Sequence, residues 1–484
     1  VLSPSSRLVK RFLSLGALGL LACVTPLDRS PPKESFRRSR EALEQGQDRA
    51  VPLPGPVFVG WGKAVIDAPS GVSLAGYGSR AGVPSTGVHD PCFARALAVR
   101  TGEGPPVLWI VADILLVDQG TQAAVSAALA GKLNPDRIVF GATHTHGGPG
   151  GYVDGFFYSL VLGPAREDAK AAVVQAMTQA ASEALAALAP GRIAFGEIEA
   201  PGLSTNRVRK SGAPTDPVLG LILAERASDG ARGVLLAFGA HATTVSDLNL
   251  HLTADYPGAL TAALEGRGFA FAAFTAGAVG SMSPRAGWSE HPGAAWMGAR
   301  LEAAVRAGLP AIALGLRAER ALSVRCFEVT LPRRQWRIAS ELAIPLIGQA
   351  LAPTHLRVIA VSMGRDTWVS LPVELSGEIS ARVRDRARRE GELLVVSVFG
   401  GGYGGYVVPR EAYDLPEEEK GEMADYESRL MSFYGPWMGE LFAAATWRAM
   451  RSASAAIAEP ARGRRGAFVR VPPPAIPPPP EPPR

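Results

Sequence analysis

Cysteine is scarce in this chain of 484 residues: Cys23, Cys92 and Cys326 are the whole set, and no CxxC pair occurs among them. That excludes a thiolate metal site and a redox-active disulfide motif, so any bound metal must use histidine, carboxylate or tyrosine. An excess of charge is lacking too. Fifty basic against 45 acidic residues leave +5, partly in Arg-rich patches at the two ends, which implies no nucleic-acid partner. No repeat at a solenoid period is found. No HExxH helix and no Gly-x-Ser-x-Gly elbow occurs, so neither the usual zinc-protease helix nor a serine-hydrolase nucleophile turn is supported. The longest apolar run near the start, Phe12 to Leu21, is too short for a stable membrane span. It follows Arg7, Lys10 and Arg11 and ends in Ala22-Cys23, which reads as a lipoprotein-type signal peptide over 1–23 with Cys23 lipidated. An ordinary signal peptide cut elsewhere is the alternative.

What is abundant points to a folded, loop-rich protein. Hydrophobic residues make up 47% and charged residues 20%, enough to bury a large core, while 54 Gly and 40 Pro supply turns and long loops on which sites are commonly built. Residues 24–54 carry Pro and charge with few large apolar side chains and read as a flexible tether. Residues 461–484 read as a Pro-rich disordered tail, leaving 55–460 as the catalytic domain. Within it, β-branched runs alternate with Ala- and Leu-rich stretches of helical period, which predicts an α/β fold of mixed β-sheets flanked by helices. Strands are expected at 57–66, 94–100, 107–115, 137–140, 192–197, 219–225, 233–239, 270–275, 356–369 and 393–399. Helices are expected at 119–133, 169–188, 294–307, 376–389 and 436–455.

Several strand ends carry chemistry. His144 and His146 follow Ile138-Val-Phe140, on one face if the strand persists, and run into Gly147, Gly148, Gly150 and Gly151, where backbone can pass close to a ligand. Alone, the pair equally fits one buried hydrogen-bonded histidine beside a surface one. His241 closes a second apolar strand, and by itself also fits a core histidine satisfied by backbone. Glu374 follows Pro372 in apolar surroundings, where a carboxylate wants a cation. Two histidines and a glutamate are a common catalytic zinc shell with a position left for water. Ser281 and Ser283 lie in a turn after Phe269 to Phe274. The run Phe399-Gly-Gly-Gly-Tyr-Gly-Gly-Tyr406 holds a formal GxGxxG, but Val-Val-Pro409 follows instead of a helix start. It therefore reads as a loop that brings Tyr403 or Tyr406 to a site, not as a dinucleotide motif.

In this order, Gly76-Tyr77, Gly87-Val-His89, Phe93-Ala-Arg-Ala, Thr143-His-Thr-His-Gly-Gly-Pro-Gly-Gly, Asn206-Arg207, the His241 strand, Ser283-Pro284, Pro372-Val-Glu374 and Tyr406 to Tyr413 resemble the amino-terminal catalytic domain of the neutral ceramidases. The resemblance runs from about Gly60 to Ala455. It implies one Zn2+ per chain held by His144, His241, Glu374 and Tyr406, with His146 beside it handling protons. It further implies that Arg207 and Tyr426 donate to the substrate carbonyl oxygen, and that Ser283 is either the nucleophile or the group that orients substrate for an attacking water. Gly76, His89, Gly148 and Gly150 would line the substrate loop. Tyr406 also fits a ring packed on the glycine loop.

The sequence departs from the family at Gly280-Ser281, where Gly-Asp is usual, and at Ala242, where Pro is usual. Its folded part also ends too early for the carboxy-terminal β-sandwich of full ceramidases. The resemblance thus implies a zinc-dependent amidohydrolase of ceramide or a related lipid amide, and the signal segment 1–23 implies export to the bacterial cell envelope, held at the membrane surface by a lipid anchor at Cys23, or else secretion. Other readings are the same fold acting on another amide or ester, such as a cell-wall or sugar conjugate, and a catalytically silent lipid-binding lipoprotein.

Overall fold

Strands such as Val107-Leu-Trp-Ile-Val-Ala112 are apolar at every position because they are buried on both faces, between a second sheet on one side and helices on the other. The computed structural model describes residues 24–46, 51–210, 212–339, 341–344 and 352–472. Eight strands form the main path of a ten-stranded sheet: β1 (Gly55–Val65), β2 (Phe93–Thr101), β3 (Val107–Ala112), β4 (Ile138–Ala142), β5 (Ala189–Glu199), β6 (Val218–Arg226), β7 (Arg232–Phe238) and β8 (Phe271–Ala276). Their order is β8-β7-β6-β5-β1-β2-β3-β4. A four-stranded sheet, β9 (Ser323–Thr330), β10 (His355–Met363), β11 (Asp366–Leu371) and β12 (Leu393–Val398), packs face to face against it.

The topology repeats three times. In each unit three antiparallel strands are followed by a helix that crosses to a fourth strand parallel to the third, and then by a longer helix. The crossover helices are α2 (Gln119–Ala128), α4 (Asp255–Glu265) and α6 (Gly377–Arg389). The closing helices are α3 (Glu167–Ala186), α5 (Glu290–Ala313) and α7 (Met438–Ala455). The first strands begin at 55, 189 and 323, 134 residues apart each time. A parallel neighbour requires such a crossover, and the helix that makes it covers the outer face of the sheet. The result is four layers, helix–sheet–sheet–helix. The carboxyl ends of the third and fourth strands of every unit gather the residues singled out above.

Two expectations about the ends are corrected. Within the stretch expected as a tether, Lys33–Gln45 is a helix, α1, that buries Ser35, Ser39 and Leu43, and Ser39 Oγ accepts the Thr330 N–H at 3.0 Å. Its few apolar residues hid it. Pairs such as Glu34 with Arg38 and Arg37 with Glu41, four apart on its exposed face, support the helix in their place. Within the expected tail, Ala467–Arg470 adds a parallel edge strand to β5. Cys23 and the signal segment 1–23, and residues 473–484, lie outside the described residues. The strand expected over 356–369 is a hairpin, β10 and β11, turning at Gly364, whose φ is +74°. Cys92 and Cys326 are both free, Cys92 buried and Cys326 accepting a hydrogen bond from Arg357 Nε at 2.8 Å.

Candidate metal centre and active site

Strand β4 ends at Ala142, and the chain then leaves strand geometry, with His144 at φ +60°. A β-strand face is therefore not what brings the two histidines together. Such a conformation is uncommon for a residue with a Cβ and is held here by its surroundings. The His144 N–H donates to Ile114 O at 3.1 Å, Thr145 bridges to Ala242, and the His146 N–H donates to Ala242 O at 3.2 Å. The first unit is thus stitched to the extension of β7 that carries His241. From the third unit, Glu374 and Tyr406 face each other in a short parallel pair, Glu374–Leu375 with Tyr406–Val407.

The proton positions follow from chemistry. His144 Nδ1 lies 2.7 Å from Leu115 O, and His241 Nδ1 lies 3.1 Å from Met282 O. A carbonyl only accepts, so both Nδ1 atoms carry the proton and both Nε2 atoms present a lone pair. Those lone pairs converge on a carboxylate oxygen, with His144 Nε2 at 3.5 Å and His241 Nε2 at 3.2 Å from Glu374 Oε2. Tyr406 Oη is 3.2 Å from His241 Nε2. Electron-rich atoms facing one another in a buried site repel unless a cation sits among them. Tetrahedral zinc with nitrogen and oxygen ligands at about 2.0–2.1 Å separates neighbouring ligand atoms by about 3.3–3.4 Å. The four residues fit such an ion. With His144 and His241, His146 forms a trio whose ligand atoms all lie within 4.8 Å of one another, and neither of its buried ring nitrogens has a hydrogen-bond partner among the described residues.

Electrostatics agree with that fit. Burial, with the Arg207 charge, lowers the His241 imidazole to about 3, and burial with the neighbouring histidines holds His146 well below its ordinary value. Both are neutral. Burial alone would raise the Glu374 carboxyl, and positive charge at the His144 and His241 positions, from protonated rings or from a cation held between them, is what keeps it well below the usual range. Burial and the Glu374 charge push the Tyr406 phenol well up, so a phenolate there requires a further cation. Tyr403 Oη donates to Glu374 Oε1 at 2.6 Å.

Other expected residues take less direct places. Tyr426 lines the cleft, its ring 5.6 Å from that of Tyr406, and burial raises its phenol to about 12. Arg207 is buried behind Tyr406. Its Nη2 is 3.0 Å from Tyr406 Oη and 2.9 Å from His241 Nε2, and its Nε donates to Glu427 at 2.6 Å. Glu427, fully buried next to Tyr426, escaped sequence reasoning. Its carboxyl is raised by burial to about 8 against the pull of Arg207. Ser283 is half-buried in the strand pair with Ser204–Asn206, next to the Met282 carbonyl that seats His241, and hydrogen-bonds to no histidine among the described residues. Ser281 is buried away from the cleft and accepts the Gly377 N–H at 3.1 Å.

The loop residues divide. Gly76, at φ +98°, lines the cleft, and a Cβ there would stand 2.4 Å from His146 Cγ, so this glycine makes room for the ring. Gly148 and Gly150 do not line it. Their missing side chains let backbone pack, with a Cβ falling 2.7 Å from Asp113 O and 2.1 Å from Leu162 O respectively. His89 is not at this centre at all; it lines a separate cavity with His291. The cleft walls are largely apolar: Leu115, Leu116, Phe157, Tyr158, Val161 and Met431.

Fold and site together define a mixed α/β protein with a buried, histidine-rich centre able to hold one metal ion at the floor of an apolar cleft. Residues 58–291 match the family described as neutral/alkaline non-lysosomal ceramidase, N-terminal. It is 26% identical over 219 residues to the neutral ceramidase of Pseudomonas aeruginosa, covering 42% of this chain and 32% of that one. It is 28% identical over 204 residues to the neutral ceramidase of Mycobacterium tuberculosis, covering 38% and 32%. The matched stretches thus span about a third of the length of these curated relatives. The crystal structure of the Pseudomonas aeruginosa neutral ceramidase shares the fold, with a TM-score of 0.69 at 21% identity over 87% of this chain and 76% of that chain.

Proposed function

We propose that this chain is a zinc-dependent amidohydrolase that cleaves the N-acyl amide of ceramide or a closely related lipid amide. The observation that carries the reading is the convergence of the His144 and His241 lone pairs on Glu374 Oε2, with Tyr406 Oη alongside. The names of the curated relatives give the substrate class. The four residues would hold the ion, which supplies Lewis acidity toward the amide carbonyl.

The chain's own residues do the rest. Leu115, Leu116, Phe157, Val161 and Met431 receive an acyl chain and exclude water from the floor of the cleft. The short helix Phe156–Leu162 presents Phe157 and Val161 to the cleft and leaves Phe156 and Leu160 exposed, an apolar rim suited to a lipid substrate. Tyr426, at the cleft wall, donates to the carbonyl oxygen as charge develops there. Arg207 holds the Tyr406 phenol and adds positive charge behind it. His146 is neutral with its ring nitrogens free, so it accepts the proton of an attacking water. Water is the nucleophile favoured here, because Ser283 has no hydrogen bond to a base among the described residues. Ser283 is left to orient substrate. An export signal with lipidation at Cys23 would place this activity at the cell envelope. Among the described residues no helix is long and apolar enough to cross a membrane.

The test is turnover by the purified chain of a fluorescent ceramide beside a panel of other amides and esters, with chelator and with zinc restored. Ceramide cleavage that disappears with chelator and returns with zinc supports the reading. Cleavage confined to non-lipid substrates, or none at all, overturns it.

A further inference from the structure

Six of the seven histidines fall into two groups of three. One is the buried centre. The other, His89, His251 and His291, lies at the surface and has no part in the proposed chemistry. The His89 and His291 rings stack with centroids 3.5 Å apart and planes 4° from parallel. His89 Nδ1 lies 2.8 Å from Asp90 Oδ2, and the ligand atoms of His89, Asp90 and His291 all lie within 4.8 Å of one another. His251 stands beside them, paired with Gly87, where a Cβ would sit 2.8 Å from its ring.

The cluster is scaffolded. Asp90 Oδ1 accepts the Ala254 N–H at 2.9 Å, and Oδ2 accepts the Thr253 hydroxyl. His291 is fixed in the first turn of α5. The cavity beneath is lined by His89, Asp90 and His291 and by Arg95, which is 4% exposed, pairs with Asp113 at 2.8 Å and leaves its Nε without a hydrogen-bond partner among the described residues.

We infer that His89, Asp90 and His291 form a second divalent-metal site, separate from the buried centre and selective for a borderline transition ion such as Zn2+ or Cu2+. Two imidazoles and a carboxylate are the ligand types such ions prefer over Mg2+ or Ca2+. Capture needs the stacked rings to fan apart so that both lone pairs reach one point, and the half-exposed His89 ring has room to turn.

The experiment measures metal content at saturating Zn2+ for the full chain, His89→Gln, His291→Gln, the double variant and Glu374→Ala, with thermal unfolding of each as the control for folding. Two equivalents are expected in the parent chain, one in the double variant and one in Glu374→Ala. Nitrogen splitting in the Cu2+ paramagnetic resonance spectrum should persist in Glu374→Ala and disappear in a triple variant lacking His89, His291 and Glu374. Parent stoichiometry in a folded double variant, or a single equivalent in the parent that Glu374→Ala removes, overturns the inference. Because Glu374→Ala reports the buried centre alone, failure of one site is distinguishable from failure of the other.

Discussion

Tyr403 Oη donates to Oε1 of Glu374 at 2.6 Å, while the other carboxylate oxygen, Oε2, faces His144 and His241. The phenol therefore fixes the orientation of a proposed metal ligand without touching the ion. Outer hydrogen bonds of this kind sustain about 10–100-fold in metal affinity or activity. Tyr403→Phe should weaken zinc binding by that order while leaving the fold intact, measured by competition with a chromophoric chelator.

Gly76→Ala should disable His146 more than it destabilises the protein. The added methyl would overlap the His146 ring at 2.4 Å and sit at φ +98°, which an L side chain adopts only under strain. Turnover should fall by about 100-fold, the scale of a general base's contribution. Metal content should stay at the parent level, which separates His146 from the ligands.

Replacing Ser283 tests the choice of nucleophile. With water attacking, Ser283→Ala should retain measurable turnover, reduced about tenfold for the loss of one orienting group. No acyl-enzyme should accumulate in the parent chain under rapid acid quench and intact-mass measurement. A serine-linked acyl adduct would reassign attack to Ser283.

Asp255 is buried, and burial raises its carboxyl from 3.8 to about 6 despite hydrogen bonds from Thr244 and the Val245 N–H. The folded chain therefore holds this proton more tightly than the unfolded chain does. Its contribution to stability is complete below about pH 4 and is lost as pH rises through 6, a change of about 3 kcal/mol for a shift of this size. Urea unfolding of the parent chain and Asp255→Asn at several pH values should show that difference, with the parent losing stability relative to the variant between pH 4 and pH 6.

The site was legible where a residue type is rare and its neighbours are distinctive. His144, His146, His241 and Glu374 each end an apolar strand, and Tyr406 ends a glycine run, so all five were found before their distances were known. Glu427 was not, because its partner Arg207 is 220 residues away and nothing around Tyr426 marks a buried carboxylate. His89 was expected in the substrate loop with Gly76, Gly148 and Gly150, and it lies elsewhere. It directly follows the short strand Gly87–Val88, and only the fold shows that its ring meets His291. The threefold topology was also hidden. Its units share strand order and spacing but place different chemistry at equivalent ends, two histidines in the first, one in the second, and a glutamate and tyrosines in the third. Helix α1 was missed because its support is charge pairing and three small or aliphatic contacts, which average to the composition of a linker.

The central claim is that one functional zinc is held jointly by all three units. Metal content and ceramide turnover, measured together for the parent chain and for His144→Ala, His241→Ala and Glu374→Ala, test it most directly. Each variant should lose one equivalent of zinc and activity by at least about 1,000-fold, since removing any ligand opens the site. Retention of that zinc and of turnover in any one of the three folded variants would contradict the account.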